Sequence, residues 1–410
     1  MTTVLIISEY NPFHKGHEYQ IKDIRNTFGE DTAIIALMSG NYTQRGEIAF
    51  ADKYLRAECA VLGGVNLVLL LPFPFSMSSA EFFASAGVEI ANKLGVVDYI
   101  AFGSENGNVS ELVSVAKNML SPEFTEKLNN AQNDEKNKTV GYPKLCERVY
   151  EDTFSEKLTE VFFSPNNILA IEYIKALIRT GSNIQPYTTK RLGAGYNTAE
   201  ILDAEFQSAS AIRAKLFEND FSALDFIPES SIGSITREYK SNNLPCEQEK
   251  LSAAVLSFFR LNTPTESTKI HDADGGLYNR LISHSYKATN ISTLAKLAST
   301  KKYTTARIKR AIWYSLFGVT SSDVRTSPAY TQLLATDSVG QALLRTIKKT
   351  GNITVVTKPS SYDNLDEVGK RQKKLSDASD FIFELSKPQP SPADVSLKAK
   401  PYVKKEENPR

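Results

Sequence analysis

Two histidines three residues apart, His14 and His17, stand in the string Glu9-Tyr-Asn-Pro-Phe-His14-Lys-Gly16-His17. Imidazole Nε2–H groups donate hydrogen bonds to phosphate oxygens, and a glycine between them lets the backbone come close to a nucleotide. The string follows the apolar run Val4-Leu5-Ile6-Ile7 and precedes a segment that reads as a helix. A helix beginning near His17 aims its free N–H groups and positive dipole end at an anion. Strand, tight turn, His-x-Gly-His and helix start together make a phosphate grip for a nucleotide. A His-x-x-His pair is also half of a metal site. Here His271 and His284 are isolated and Cys59, Cys146 and Cys246 are scattered, so no residue set is assigned to a metal.

A second constellation is Ser208-Ala-Ser210-Ala-Ile-Arg213, at the start of a segment that reads as a helix over 208–217. Hydroxyls and free amides at a helix start suit phosphate oxygens, and an Arg one turn later can fork onto the same anion. A plain Ser cap followed by a solvated Arg would look the same, so the motif gains weight from its pairing with the upstream histidines. Four further polar strings sit at the ends of elements. They are Met38-Ser-Gly40-Asn-Tyr-Thr-Gln44-Arg45-Gly46, Phe102-Gly103-Ser-Glu105-Asn-Gly107, Pro165-Asn166-Asn167-Ile-Leu and Tyr187-Thr-Thr-Lys190-Arg191. Gly103 could let a nucleobase lie against the backbone.

These residues need a scaffold, and the first half of the chain supplies its pattern. Val4–Ile7, Ala33–Met38, Leu67–Leu71 and Tyr99–Phe102 are short continuous apolar runs, as in parallel strands covered on both faces. Helical periodicity separates them near 17–27, 52–62, 79–94 and 108–119. This alternation predicts an α/β doubly wound parallel sheet, whose ligands bind at the carboxyl ends of the strands. Residues 121–160 are polar and predict an insertion. Ser164-Pro165 opens a helix to about Thr180, and Ile184–Thr188 reads as a further strand. From about 228 amphipathic helical segments dominate, at 247–260, 275–287, 290–299, 303–317 and 331–349, with a possible strand near 351–358. The organisation expected is therefore an ATP-binding-type catalytic domain over 1–227, a mainly helical domain over 228–386, and a flexible Pro-, Lys- and Glu-rich tail over 387–410.

The chain has 410 residues, enough for a large core. Its 48 Lys and Arg against 47 Asp and Glu give a net charge of +1, so any nucleic-acid surface must be a local patch. Cysteines without paired spacing suit a reducing compartment. No apolar run approaches a membrane span and no signal-peptide pattern opens the chain. A cytoplasmic protein is expected.

The motifs in this order resemble the bacterial tRNA(Met) cytidine acetate ligase family, which carries the HxGH signature of the nucleotidyltransferase superfamily. The resemblance is close over residues 4–217 and looser beyond. It implies an enzyme that uses ATP and acetate to make N4-acetylcytidine at the wobble position of elongator methionine tRNA. It implies an ATP site formed by Ile7, Ser8, Glu9, Tyr10, Asn11, Pro12, Phe13, His14, Lys15, Gly16, His17, Glu18, Tyr19 and Gln20, with Gly103, Arg191 and one of Asn166 and Asn167. Asn167 is favoured, because helix geometry turns only one of the two toward the pocket. His14, His17, Ser210 and Arg213 are the expected catalytic groups, and Mg²⁺ is expected with the ATP, held largely by phosphates and water.

Lys302-Tyr303-Thr-Thr-Ala-Arg307-Ile-Lys-Arg310 also looks like a family segment. Tyr303, Arg307 and Arg310 at helical spacing, with Lys302, are expected to face RNA. Two other readings stay open on the motifs alone: a small-molecule adenylyltransferase acting on a phosphorylated cofactor precursor, and a non-catalytic RNA-binding protein. Nearly half the chain lies beyond the catalytic-type motifs, which argues against the first. Intact His14, Gly16, His17, Ser210 and Arg213 argue against the second.

Overall fold

The computed structural model describes residues 1–105, 107–137, 140–155, 164–191, 207–265 and 268–405. Its centre is an eight-stranded sheet in the order β5-β4-β1-β2-β3-β6-β7, with β8 paired to β6. The strands are β1 (Thr3–Ser8), β2 (Ala33–Ser39), β3 (Leu67–Leu71), β4 (Tyr99–Ser104), β5 (Gln185–Lys190), β6 (Tyr330–Thr336), β7 (Thr354–Val356) and β8 (Tyr402–Val403). β1 to β5 run parallel, while β6 is antiparallel to β3.

Helices of the first half are α1 (Lys15–Phe28), α2 (Lys53–Leu62), α3 (Ala80–Leu94), α4 (Val109–Met119), α5 (Pro122–Asn133), α6 (Tyr142–Phe154), α7 (Pro165–Arg179) and α8 (Ala209–Phe217). Those of the second half are α9 (Glu229–Lys240), α10 (Ser252–Leu261), α11 (Leu277–Ser285), α12 (Ile291–Ala298), α13 (Thr305–Phe317), α14 (Ser321–Arg325), α15 (Ser338–Thr350), α16 (Glu367–Phe383) and α17 (Asp394–Lys398).

Successive residues of β1 point to opposite faces. Val4 and Ile6 enter a core shared with α1, α2 and the second-half helices, and Leu5 and Ile7 enter one shared with α3, α4 and α7. Both faces are covered, which is why the strands read as unbroken apolar runs. β1 leads outward to β2 and β3, whereas β4 returns to the other side of β1. The strand order thus reverses between β1 and β4, and the crevice at their carboxyl ends is where this architecture binds ligands.

Two expectations are corrected. The segment 331–349 was expected to be one helix, but Tyr330–Thr336 is a strand and the helix begins at Ser338. Asp337 makes the break, its side chain accepting the Gly340 N–H at 2.8 Å as a helix cap. β6 and β7 therefore carry the second half back into the sheet, and the 228–386 segment shares the core of the first. Over 387–405 the tail expected to be flexible contains α17 and β8, with Lys404 N–H donating to Thr336 O at 2.9 Å, and 406–410 lie outside the described residues. Lys387 is buried and paired with Glu384 at 2.6 Å. The insertion expected over 121–160 contains α5 and α6, which pack Phe124, Leu128, Leu145 and Tyr150 against the α3–α7 face.

Candidate active site

The turn after β1 is built to present the two histidines. Tyr10 adopts a left-handed φ of 46° and Asn11–Pro12 is cis, which folds the chain back toward α1. Asn11 Oδ1 accepts Phe50 N–H at 2.8 Å, and the buried Arg56 donates to Glu9 O at 2.6 Å and Ala51 O at 2.9 Å. Arg56 also donates to Gly40 O, so one guanidinium ties the loops after β1 and β2 together. Burial pushes it down to about 10, and it remains charged at neutral pH.

His14 caps α1, its Nδ1 accepting Gly16 N–H at 3.0 Å, while His17 Nδ1 accepts His14 N–H at 3.2 Å. The rings lie 3.9 Å apart. A ring nitrogen that accepts carries no proton, so the neutral tautomer places the hydrogen on Nε2 in both rings. Burial, then the charges of Arg191 and Arg213, lowers His14 to about 4. Burial, then His14 and Arg191, holds His17 well below the usual imidazole value. The pair is therefore neutral and offers two Nε2–H donors.

A cavity of about 420 Å³ opens at this point. Ile6, Ile7, Ser8, Glu9, Tyr10, Asn11, His14, His17 and Gln20 form one wall, Gly103, Asn166 and Arg191 a second, and Ala209, Ser210 and Arg213 a third. The two motifs, nearly two hundred residues apart, thus meet across one space. Ser208 caps α8 by accepting Ala211 N–H at 3.2 Å, which leaves Ala209 and Ser210 at a helix start facing the cavity. Arg213 donates to Asn11 O at 2.7 Å and lies 3.6 Å from Glu47.

Several expected site residues do not line the cavity. Phe13 is buried and stacks on His17, Glu18 pairs with Lys22, and Pro12, Lys15, Gly16 and Tyr19 lie off the lining. Gly16 has a different task. A Cβ there would stand 2.8 Å from Cε1 of His14, so the glycine makes room for the capping ring. The preference for Asn167 is corrected. Asn167 is fully buried and its Oδ1 accepts Glu105 N–H at 3.0 Å, while Asn166 faces the cavity. The space over Gly103 is occupied by the side chain of Arg191, whose Cγ would sit 3.2 Å from an added Cβ.

The segment expected to face RNA is largely committed inward. Arg310 is buried and paired with Asp272 at 2.6 Å, and Tyr303 is buried with its hydroxyl donating to Gly275 O. Lys302 donates to Gly275 O at 3.0 Å, and Arg307 donates to Asp272 O at 3.0 Å and to Asp274. Together they clamp the 272–276 turn. Charge and spacing alone do not distinguish such a clamp from an RNA-facing stripe.

The polar string after β2 was expected to face the pocket without any of its residues being named to the site, and Thr43, Gln44, Arg45 and Glu47 line the cavity. Gly46, at φ 75°, packs against the backbone of Arg310, and Trp313 Nε1–H donates to Gly46 O at 3.0 Å. Helix α13 therefore braces this loop. Phe83, Phe102, Leu169 and Tyr173 also line the cavity, and none of them was named to the site from the sequence. The one available signal was the Gln44-Arg45-Gly46 string at the end of a strand. The aromatic residues lie on helical and strand faces that read as ordinary core.

Among the described residues no three His, Cys, Asp or Glu side chains gather as a metal cage, and no helix is long and apolar enough to cross a membrane. The HIGH Nucleotidyl Transferase family model matches residues 1–395. The tRNA(Met) cytidine acetate ligase of Acetivibrio thermocellus is 35% identical over 388 residues, 92% of this chain and 92% of that protein. The Clostridium perfringens protein of the same name is 35% identical over 370 residues, 87% of this chain and 89% of its own. A crystal structure of Thermotoga maritima TmcAL bound with alpha-thio ATP superposes with a TM-score of 0.88 at 28% identity, covering 98% of this chain and all of that one (100%). With this cavity and these matches together, the chain belongs to the HIGH nucleotidyl transferase family and, within it, to the tRNA(Met) cytidine acetate ligases.

Proposed function

We propose that this protein is a ligase that activates acetate with ATP and acetylates N4 of the wobble cytidine of elongator tRNA(Met). The observation that carries the reading is the meeting of two neutral histidine Nε2–H donors, the α8 helix start and the guanidinium groups of Arg191 and Arg213 on one cavity. Such a set of donors fits a triphosphate and supplies positioning and charge neutralisation, which are what phosphoryl transfer needs.

Acetate cannot donate its acyl group directly, because oxide would have to leave. In the proposed first step an acetate oxygen attacks the α-phosphorus and pyrophosphate departs. His14, His17, Ser210 and Arg213 hold the phosphates in line, with Gly103, Asn166 and Arg191 on the nucleoside side. Mg²⁺ enters as part of the ATP substrate. Among the described residues the carboxylates that line the cavity are Glu9 and Glu47, and Glu47 is held by Lys309 at 2.6 Å, which fits a cation held largely by phosphates and water. In the second step the cytidine amine attacks the acetyl carbonyl of acetyl-adenylate and AMP leaves. Lys302 and Arg307 stay at the surface and are the two of the four expected RNA contacts that a phosphate could reach.

Exchange of labelled pyrophosphate into ATP tests the first step. The expected result is exchange that requires acetate. Exchange that ignores acetate but responds to a phosphorylated small molecule would replace the reading with that of an adenylyltransferase.

A further inference from the structure

We propose that Glu9 accepts the proton released by the cytidine N4 amine as that amine attacks the acetyl carbonyl. The assignment rests on the ligase reading above and adds a proton acceptor to its second step.

The cavity wall leaves few other candidates. Both histidines accept backbone N–H groups at Nδ1, so their remaining nitrogens carry hydrogens and have no free lone pair. Glu47 is bound by Lys309 at 2.6 Å and approached by Arg213 at 3.6 Å. Burial pulls Glu47 upward, but Lys309, Arg213 and Arg45 outweigh it and hold the carboxyl below its usual range, which makes it a weak base. Arg45, Arg191 and Arg213 are cations, and the Ser210 hydroxyl is a poor proton acceptor.

Glu9 differs from Glu47 on each count. It follows the last residue of β1 and is recessed into the wall, with Oε1 accepting Gln44 N–H at 2.9 Å. Among the described residues no ion pair holds it and no hydrogen bond reaches Oε2. Burial raises its carboxyl, and the Gln44 N–H with the charges of Arg213, Arg56 and Arg45 offsets only part of that. Two carboxylates pushed in opposite directions by their surroundings is the usual sign of divided roles.

The chemistry fits as well, since a carboxylate is the natural acceptor for the cytosine N4–H. Tyr173 lines the same cavity and is 4% exposed, and its hydroxyl makes no hydrogen bond to a described residue. Burial and the charge of Glu9 both raise the Tyr173 phenol, so it stays protonated and can donate to the incoming substrate or to Glu9. In the step itself the N4–C bond forms and the acyl C–O bond to phosphate breaks. AMP leaves with that electron pair, and the N4 proton passes to Oε2 and then to solvent.

The test separates the two half-reactions. Glu9→Gln keeps an oxygen for Gln44 N–H at nearly constant volume, and Glu9→Asp keeps the carboxylate. Single-turnover acetyl transfer to an elongator methionine tRNA transcript should fall about 100-fold or more in E9Q, the usual range for a lost general base. Acetate-dependent pyrophosphate exchange should fall less than about tenfold, because no proton moves from N4 in that step. E9D should transfer faster than E9Q. Transfer in E9Q within about threefold of wild type would overturn the assignment and leave the proton to the adenylate phosphate or water. So would exchange that falls in step with transfer, or an E9D variant no better than E9Q. A wild-type protein without acetate-dependent exchange would instead fell the ligase reading, and this proposal with it.

Discussion

His17 Nδ1 accepts the backbone N–H of His14 at 3.2 Å, and the two rings stand 3.9 Å apart. Each histidine thereby fixes the start of the helix that presents the other, and both are left as neutral Nε2–H donors. This arrangement sets the pH behaviour. The unfolded chain takes up a proton on His14 near pH 6.5, whereas the folded chain resists until about pH 4. The unfolded state therefore binds more protons in that window, and stability from His14 is full above it and lost as pH falls through it. Acetate-dependent pyrophosphate exchange should hold its rate through pH 6.5 and fall toward pH 4. An acid limb centred near 6.5 would contradict the neutral pair.

Gly16→Ala should damage the grip without touching a ligand directly. Its Cβ would meet the His14 ring at 2.8 Å and push the cap off Gly16 N–H. Loss of a helix cap costs about 0.5–2 kcal/mol, and displacement of a phosphate donor should raise the ATP KM by about tenfold. Steady-state exchange kinetics and a thermal melt measure both. A normal KM would show that the His14 position is not critical.

Gly46→Ala should report the bracing of the cavity loop by α13. The residue sits at φ 75°, and a Cβ would lie 2.6 Å from Arg310 N. Left-handed strain and a backbone clash together should cost about 1–3 kcal/mol and lower exchange, because Gln44, Arg45 and Glu47 share the loop. Unchanged melting and unchanged exchange would mean that α13 does not position the loop.

Lys53 and Asp380 form a buried pair at 2.5 Å, and Asn41 Nδ2 donates to the same carboxylate at 2.9 Å. The pair joins α16 to α2 and to the loop after β2. Lys53→Met alone leaves a buried carboxylate unpaired and should cost about 3–5 kcal/mol, while K53M/D380L should recover most of that loss. Denaturant midpoints decide it. A double variant no better than the single would show that packing, rather than charge, holds this joint.

Tyr303→Phe should behave as a structural change. It removes the hydroxyl that donates to Gly275 O and should cost about 1 kcal/mol, with no change in the salt dependence of tRNA binding. Lys302→Ala should flatten that salt dependence by about one phosphate contact. The reverse pattern in a salt titration would return Tyr303 to the RNA surface.

The parallel strands and the histidine turn were legible because their signals are local. β1 to β4 are unbroken apolar runs, and His14, Gly16 and His17 lie within one turn of one another. The α7 start at Ser164-Pro165 and the α8 start at Ser208 were readable for the same reason. What escaped depends on long-range contacts. β6, Tyr-Thr-Gln-Leu-Leu-Ala-Thr over 330–336, lies in a stretch that also fits helical spacing, and its pairing with β3, β7 and β8 makes it a strand. Lys302, Tyr303, Arg307 and Arg310 look free until the 272–276 turn packs against them. The choice between Asn166 and Asn167 turned on Glu105, which takes the N–H-accepting oxygen of Asn167 and receives the Asn166 amide at 2.5 Å. Glu9 and Glu47 carry the same side chain, and Lys309, 262 residues away in sequence from Glu47, pairs with Glu47 and not with Glu9.

The most direct measurement is nucleoside mass spectrometry of elongator methionine tRNA incubated with the protein, ATP, Mg²⁺ and isotope-labelled acetate. The ligase reading predicts a labelled N4-acetylcytidine at the wobble position, absent when ATP is omitted. Intact tRNA that gains no labelled nucleoside, beside protein that exchanges pyrophosphate with ATP, would contradict it.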